Sequence, residues 1–149
     1  MLIREVMTET VVTAPPDRTV REIAEMMRER NVGSVVLIDG RRPVGFLTDR
    51  DLTVSVLADG RDLGDRAADH ASSPVITASA GMQVAEAAEL MVRHGVRRLV
   101  IVDDERLTGI VTLDDIASRT GDPELAAQLS LRVTRAVMPD FFFHERGEH

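Results

Sequence analysis

The sequence predicts a mixed α/β fold: two tandem copies of one strand-helix-strand-strand-helix unit, followed by a C-terminal helix. Three observations carry this expectation. Shifting the 149-residue chain by 64 positions aligns Val11–Leu52 with Val75–Ile116 without a gap, and 15 of those 42 positions are identical. Within each copy, apolar residues recur first at the 3.6-residue period of a helix and then as short continuous aliphatic runs, the pattern of strands buried on both faces. The chain holds no Trp or Tyr and only 4 Phe, three of them at Phe141, Phe142 and Phe143, so the core must be built from Val, Ile, Leu, Met and Ala.

The elements follow in order. Thr10–Thr13 and Val75–Thr77 read as short extended segments, closed by the turn residues Pro15-Pro16-Asp17 and Ser79-Ala80-Gly81. A helix comes next in each copy. The first opens on Thr19-Val20-Arg21-Glu22, a capping-box pattern, and sets Val20, Ile23, Ala24 and Met27 on one face. The second carries Val84, Ala87, Ala88 and Met91, with Gly95 as its stop. Two strands follow, Ser34–Ile38 and Val44–Thr48 about the turn Asp39-Gly40-Arg41-Arg42. Their counterparts are Leu99–Val102 and Thr108–Thr112 about Asp103–Arg106. A second helix starts near Asp49 and near Leu113.

A unit of about 45 residues is too small to cover both faces of its own sheet. The two copies are therefore expected to pack sheet to sheet about a pseudo-two-fold axis. The domain organisation is then 1–57 for the first motif, 58–70 for a linker with a short helix near its end, 71–119 for the second motif and 120–149 for the C-terminal helix and tail. That helix takes Asp122 as cap and Pro123 in its first turn, and repeats Leu125, Leu129, Val133 and Val137 every fourth residue before Pro139.

Composition narrows the function. A net charge of −7 speaks against a general nucleic-acid binder, which needs a cationic surface to neutralise phosphates. The absence of Cys removes disulfides, thiolate metal sites and cysteine nucleophiles. The N-terminus lacks the apolar run of a signal peptide, and no segment approaches a membrane span, so a cytoplasmic location with no membrane association is expected. His70, His94, His144 and His149 form no i, i+4 metal pair, so no metal site is expected. Ser72-Ser73 has no neighbouring base, and the glycines form no phosphate-binding loop, so no catalytic residues are expected. The Phe141–Phe143 run suits either a frayed terminus or docking on a partner subunit.

One pattern occurs twice, at the junction of the last strand and last helix of each copy. Gly45-Phe46-Leu47-Thr48-Asp49-Arg50-Asp51 matches Gly109-Ile110-Val111-Thr112-Leu113-Asp114-Asp115. A Thr at a helix N-terminus offers its hydroxyl beside unpaired backbone N–H groups at the positive end of the helix dipole, which suits a phosphate. An Asp three residues on lies on the same side and can accept from two ribose hydroxyls. The same Thr-x-x-Asp spacing also makes a ligand-free capping box, worth about 1 kcal/mol. Arg97 and Arg98 stand where the first copy has Gly33 and Ser34. Strand neighbours face opposite sides, so one of the two can reach a phosphate while the other faces away; both can equally be surface charges. Arg50 reads as a solvated helix residue more readily than as a ligand.

The repeat order, the two Gly-x-x-Thr-x-x-Asp motifs and the junction His94-Gly95-Val96-Arg97-Arg98-Leu99-Val100-Ile101-Val102-Asp103 together resemble the CBS domain family, named after cystathionine β-synthase. The resemblance covers residues 4 to 119 and points to a CBS domain pair of the Bateman-module type. It implies a regulatory protein rather than an enzyme, with an adenosine-containing ligand in the cleft between two motifs: AMP, ADP, ATP or S-adenosylmethionine. By the resemblance, Thr48 and Thr112 serve phosphate, Asp51 and Asp115 serve ribose, and the base meets Val11, Val12 and Thr13 in one copy and Val75, Ile76 and Thr77 in the other. It further implies a homodimer that signals to a partner by changing conformation or assembly. The competing expectation is a structural dimerisation module with empty clefts.

Overall fold

The computed structural model describes residues Met1–Val137 of the chain, so the Phe141–Phe143 run and the helix stop at Pro139 lie outside the described residues. Each copy of the repeat forms a three-stranded sheet, with β1 (Thr13–Ala14), β2 (Ser34–Asp39) and β3 (Arg42–Thr48) in the order β1-β2-β3, and β4 (Thr77–Ser79), β5 (Arg98–Asp103) and β6 (Arg106–Thr112) in the order β4-β5-β6. In the first sheet β1 runs parallel to β2, with Thr13 opposite Val36. β2 and β3 are antiparallel, with Val36 opposite Phe46 and a register shift between Leu37 and Ile38. The short extended segments expected at Thr10–Thr13 and Val75–Thr77 begin later than the sequence suggested. The Val12 carbonyl still accepts the Val36 N–H at 3.0 Å, so the ladder starts there although the strand proper is Thr13–Ala14.

Helix α1 (Val20–Arg30) starts as expected: Thr19 Oγ1 accepts the Glu22 N–H at 3.1 Å. Val20, Ile23 and Met27 are buried, but Ala24, expected on the same face, is exposed. The helix ends at Asn31 in the left-handed region, φ 53°, a stop with no glycine to announce it. Helix α2 (Asp49–Asp51) runs straight on into a π-helical stretch, Leu52–Leu57. In the second copy, α3 (Val84–His94) buries Val84, Ala87, Ala88 and Met91 and closes at Gly95, φ 62°. Helix α4 (Leu113–Arg119) buries Leu113 and Ile116. The added helix α5 (Pro123–Val137) is capped by Asp122, whose Oδ1 accepts the Leu125 N–H at 3.0 Å.

Two compact units emerge, and they do not coincide with the two halves of the sequence. One contains Glu9–Thr77 with Val100–Gly109; the other contains Met1–Thr8, Ala78–Leu99 and the chain from Ile110 onward. The cause is visible in the hydrogen bonds. Thr8, which leads into the first copy, exchanges backbone bonds of 2.8 and 2.9 Å with Ile110 on β6. Ser72, its counterpart 64 residues on, exchanges bonds of 2.9 and 3.1 Å with Phe46 on β3. Each lead-in segment thus joins the last strand of the opposite copy. Both lead-ins begin with a 3-10 turn, Ile3–Glu5 and Ala67–Asp69, whose first residues Ile3 and Ala67 are fully buried. Gly45 shows why the motif needs glycine: a Cβ there would stand 3.2 Å from both the Ala71 Cβ and a Leu37 methyl.

In the unit containing α3, α4 and α5, the C-terminal helix packs on the other two. Leu129 and Val133 are buried by this packing, at 2% and 0% exposure. The apolar stripe at Leu129 and Val133 is therefore covered within the chain.

Candidate functional site: two strand-to-helix junctions

The two Thr-x-x-Asp junctions are built alike. In the second copy, Asp115 Oδ2 accepts the Thr112 N–H at 2.9 Å while Thr112 Oγ1 accepts the Asp115 N–H at 3.0 Å. In the first, the corresponding distances for Asp51 and Thr48 are 2.9 and 3.1 Å. Both are complete capping boxes. Each helix start is also tied back to the loop before the middle strand: the Leu113 N–H donates to the Arg97 carbonyl at 3.1 Å, and the Asp49 N–H to the Gly33 carbonyl at 2.9 Å. These ties set Arg97 beside Thr112, and Gly33 beside Thr48.

The surroundings then diverge. In the first copy the Asp49 carboxylate turns back onto its own helix start, where Oδ1 accepts the Arg50 N–H at 2.9 Å. Oδ2 lies 3.1 Å from where a Cβ on Gly33 would sit. Every first-turn N–H of that junction is satisfied inside the chain, and the residue closing it is an anion. In the second copy the equivalent position is the buried Leu113, and among the described residues no acceptor reaches the Asp114 N–H. The same position neighbours a cation, Arg97, rather than a glycine.

The Asp115 side chain is only 15% exposed. Its second oxygen, Oδ1, faces the Thr8 hydroxyl at 3.5 Å and the Arg119 Nε at 3.9 Å. Arg119 in turn donates to the Val6 and Met7 carbonyls at 3.2 and 2.8 Å, which binds the lead-in segment to α4. Asp51 has no such neighbours in its own unit: the positions equivalent to Thr8 and Arg119 are Ser72 and Ser55.

The remaining candidate residues are dispersed. Arg97 is exposed, with its guanidinium on α5, 3.3 Å from Thr134 Oγ1 and 3.5 Å from Ser130 Oγ. Arg98, the first residue of β5, is half-buried. Val11, Val12 and Thr13 are half-buried in the same unit as Thr48 and Asp51, and Val12 packs on the core formed by Ile23, Leu37 and Leu47. Val75 and Ile76 are half-buried and Thr77 is exposed; all three belong to that unit as well, not to the one holding Thr112 and Asp115.

One cluster has no trace in the sequence pattern. Ser55 Oγ lies 2.6 Å from His70 Nδ1, and His70 Nε2 lies 2.9 Å from Asp65 Oδ2, which also meets Arg61 Nε at 3.3 Å. The hydrogen bond from His70, with help from Arg61, holds the Asp65 carboxyl below its ordinary range. A serine, histidine and carboxylate in line resemble an acyl-transfer relay. Here the imidazole is only 5% exposed, closed to a substrate, and its two bonds tie the linker to the π-helical stretch. Residues 55 and 70 correspond to Arg119 and Val6, so the second copy makes the same tie with a guanidinium and backbone carbonyls. Among the described residues no group of three or more potential metal ligands converges, and no helix is long and apolar enough to cross a membrane.

The model of the CBS domain matches residues 3–57 and again residues 67–121. The chain belongs to the CBS domain family. It is 45% identical over 117 residues to an uncharacterised protein of Methanopyrus kandleri, covering 76% of this chain and 60% of that one, so it spans less than two thirds of that relative. Among solved structures it resembles a CBS domain protein from Pyrobaculum aerophilum complexed with AMP, with a TM-score of 0.75 and 28% identity over 88% of this chain and 99% of that one. It also resembles the CBS domain pair of protein MJ0100 in complex with 5′-methylthioadenosine and S-adenosyl-L-methionine, with a TM-score of 0.73 and 25% identity over 81% of this chain and 96% of that one.

Proposed function

We propose that this CBS pair is a regulatory module that binds an adenosine-containing ligand at the Thr112–Asp115 junction and reports its presence by a shift in conformation or assembly. The carrying observation is the contrast between the junctions. The second places Arg97 beside a helix start with an open N–H, whereas the first closes its helix start with the carboxylate of Asp49. A phosphate is attracted to the former and repelled by the latter. Asp115 would accept from the ribose, Thr112 and Arg97 or Arg98 would hold phosphate, and the Asp51–Thr48 junction would stay unoccupied by nucleotides or bind them more weakly. The ligands seen with the related Pyrobaculum protein and MJ0100 support the adenosine class.

A calorimetric titration of the chain with AMP, ADP, ATP and S-adenosylmethionine tests this. Saturation at about 100 times the dissociation constant stabilises the fold by roughly 2.7 kcal/mol. For a chain of this size that raises the melting temperature by roughly 5–10 °C. No heat and no melting shift with any of the four at millimolar concentration would leave a different reading in front. In that reading both boxes are simply helix caps, complete without a ligand as they stand, and the protein is a dimerisation module.

A homodimer belongs to either reading. In the unit holding α1, an open apolar groove of about 390 Å³ runs between α1 and the π-helical stretch, lined by Val20, Ala24, Leu52, Val56, Leu57 and Leu63 among others. Leu57 and Leu63 are 75% and 53% exposed there. A second copy of the chain is the proposed cover.

A further inference from the structure

We propose that α5 is the output element of the second junction, with Arg97 as the group that ligand and helix compete for; this rests on nucleotide binding at Thr112–Asp115. The backbone of Arg97 is fixed, since its carbonyl holds the first N–H of α4 at 3.1 Å. Its guanidinium is held only by two neutral hydroxyls of α5, Thr134 at 3.3 Å and Ser130 at 3.5 Å, both near the long limit of a hydrogen bond. A phosphate offers the same fork a charged, bidentate acceptor, and such bonds are about twice as strong as neutral ones. The guanidinium cannot serve both.

Anion binding therefore withdraws Arg97 from α5. The inner face of α5 stays anchored: Leu129 and Val133 are buried, and Arg132 makes a forked pair with Glu89 of α3 at 2.8 and 3.1 Å. What loosens is the side of the helix that carries Ser130 and Thr134, and with it the residues beyond the anchored Val133. Because coupling between two sites is reciprocal, anything that removes the α5 hydroxyls must strengthen anion binding. The first copy has no counterpart to this contact, since Gly33 stands in place of Arg97.

The test compares AMP with adenosine, which lacks the phosphate, on the unaltered chain and on a Ser130→Ala, Thr134→Val double variant. Both substitutions remove a hydroxyl from a partly buried position with little change in volume, and a melting curve checks that the fold is intact. AMP should bind the double variant roughly 3- to 10-fold more tightly, the equivalent of two weak hydrogen bonds no longer competing, while adenosine affinity stays unchanged. Ser130→Ala alone should give a smaller gain of the same sign. Amide exchange in Thr134–Ala136 should speed up when AMP is added to the unaltered chain. AMP binding with equal affinity to both proteins would overturn the competition for Arg97 and leave nucleotide binding intact. Failure of AMP and adenosine alike to bind the unaltered chain would remove both.

Discussion

Asp115 and Asp51 occupy equivalent positions with the same capping geometry, yet one is hemmed in by Thr8 and Arg119 and the other is not. Replacing each by Asn separates capping from ribose recognition. An Asn keeps an acceptor for the Thr N–H but puts a donor where a second acceptor is needed. Asp115→Asn should weaken nucleotide binding by about 1.5–3 kcal/mol, roughly 10- to 150-fold, by loss of a charge-assisted bond. Asp51→Asn should change it far less. Affinity unchanged from the unaltered chain in both variants, read by titration, would show that both aspartates are only caps. The pairing of Thr with Asp was legible in the sequence, as was the Arg97-Arg98 exception. The role of Asp49 was not, because a carboxylate that folds back on its own helix start looks in sequence like any acidic first-turn residue.

His70 was also opaque at this scale. It became a candidate only as one of four histidines without a metal-binding spacing, and its partners Ser55 and Asp65 carry no motif. His70→Ala would leave two part-buried polar groups without their bonds, and should cost about 1–3 kcal/mol of stability in chemical denaturation. The pH dependence has a defined sign. Asp65 is held below its ordinary range, as are Glu22 beside Arg18 and Glu89 beside Arg132. Groups depressed in the folded state contribute stability that is fully present above their unfolded values and is lost as the pH falls through the folded ones. Stability should thus hold from neutral pH down to about pH 5 and decline below about pH 4, with the decline reduced in the His70→Ala variant.

The order and kind of elements could be read almost throughout, because the 64-residue repeat lets each copy check the other. Alternation of helix and strand periods placed α1, α3 and both hairpins within a residue or two. Three features at this scale could not be read. The π-helical stretch Leu52–Leu57 follows an ordinary-looking run whose counterpart in the second copy is α-helical. Ala24 fits the apolar stripe by spacing but ends up on the rim of the open groove, where an alanine is tolerated by water as well as by a core. The lead-in segments were hidden for a different reason: Ile3 aligns with Ala67 and Val6 with His70, so the repeat is structural there without being chemical. Their exchange between copies makes a clear prediction. Deleting Met1–Thr8 removes the buried Ile3 and Val6 and the two bonds to Ile110. Faster amide exchange should then appear in α3, α4 and α5 while β2 stays protected; uniform loss of protection in both units would contradict the exchange.

For the molecule as a whole, family and architecture were in the sequence, whereas the covered face of α5 was not. Its stripe looks available for a partner until the helix is seen packed on α3 and α4. An exposed apolar surface does lie at the groove beside α1, and light scattering at micromolar concentration should give a mass near twice 16.4 kDa. A Leu57→Asp substitution should lower it towards that of one chain; an unchanged dimer would place the interface elsewhere. The central claim concerns which of the two junctions binds. Calorimetric titration of AMP measures it directly through the stoichiometry: one AMP per chain, abolished or strongly weakened by Asp115→Asn and retained in Asp51→Asn, is the expected result. Two equivalent sites per chain, or no binding at all, would contradict it.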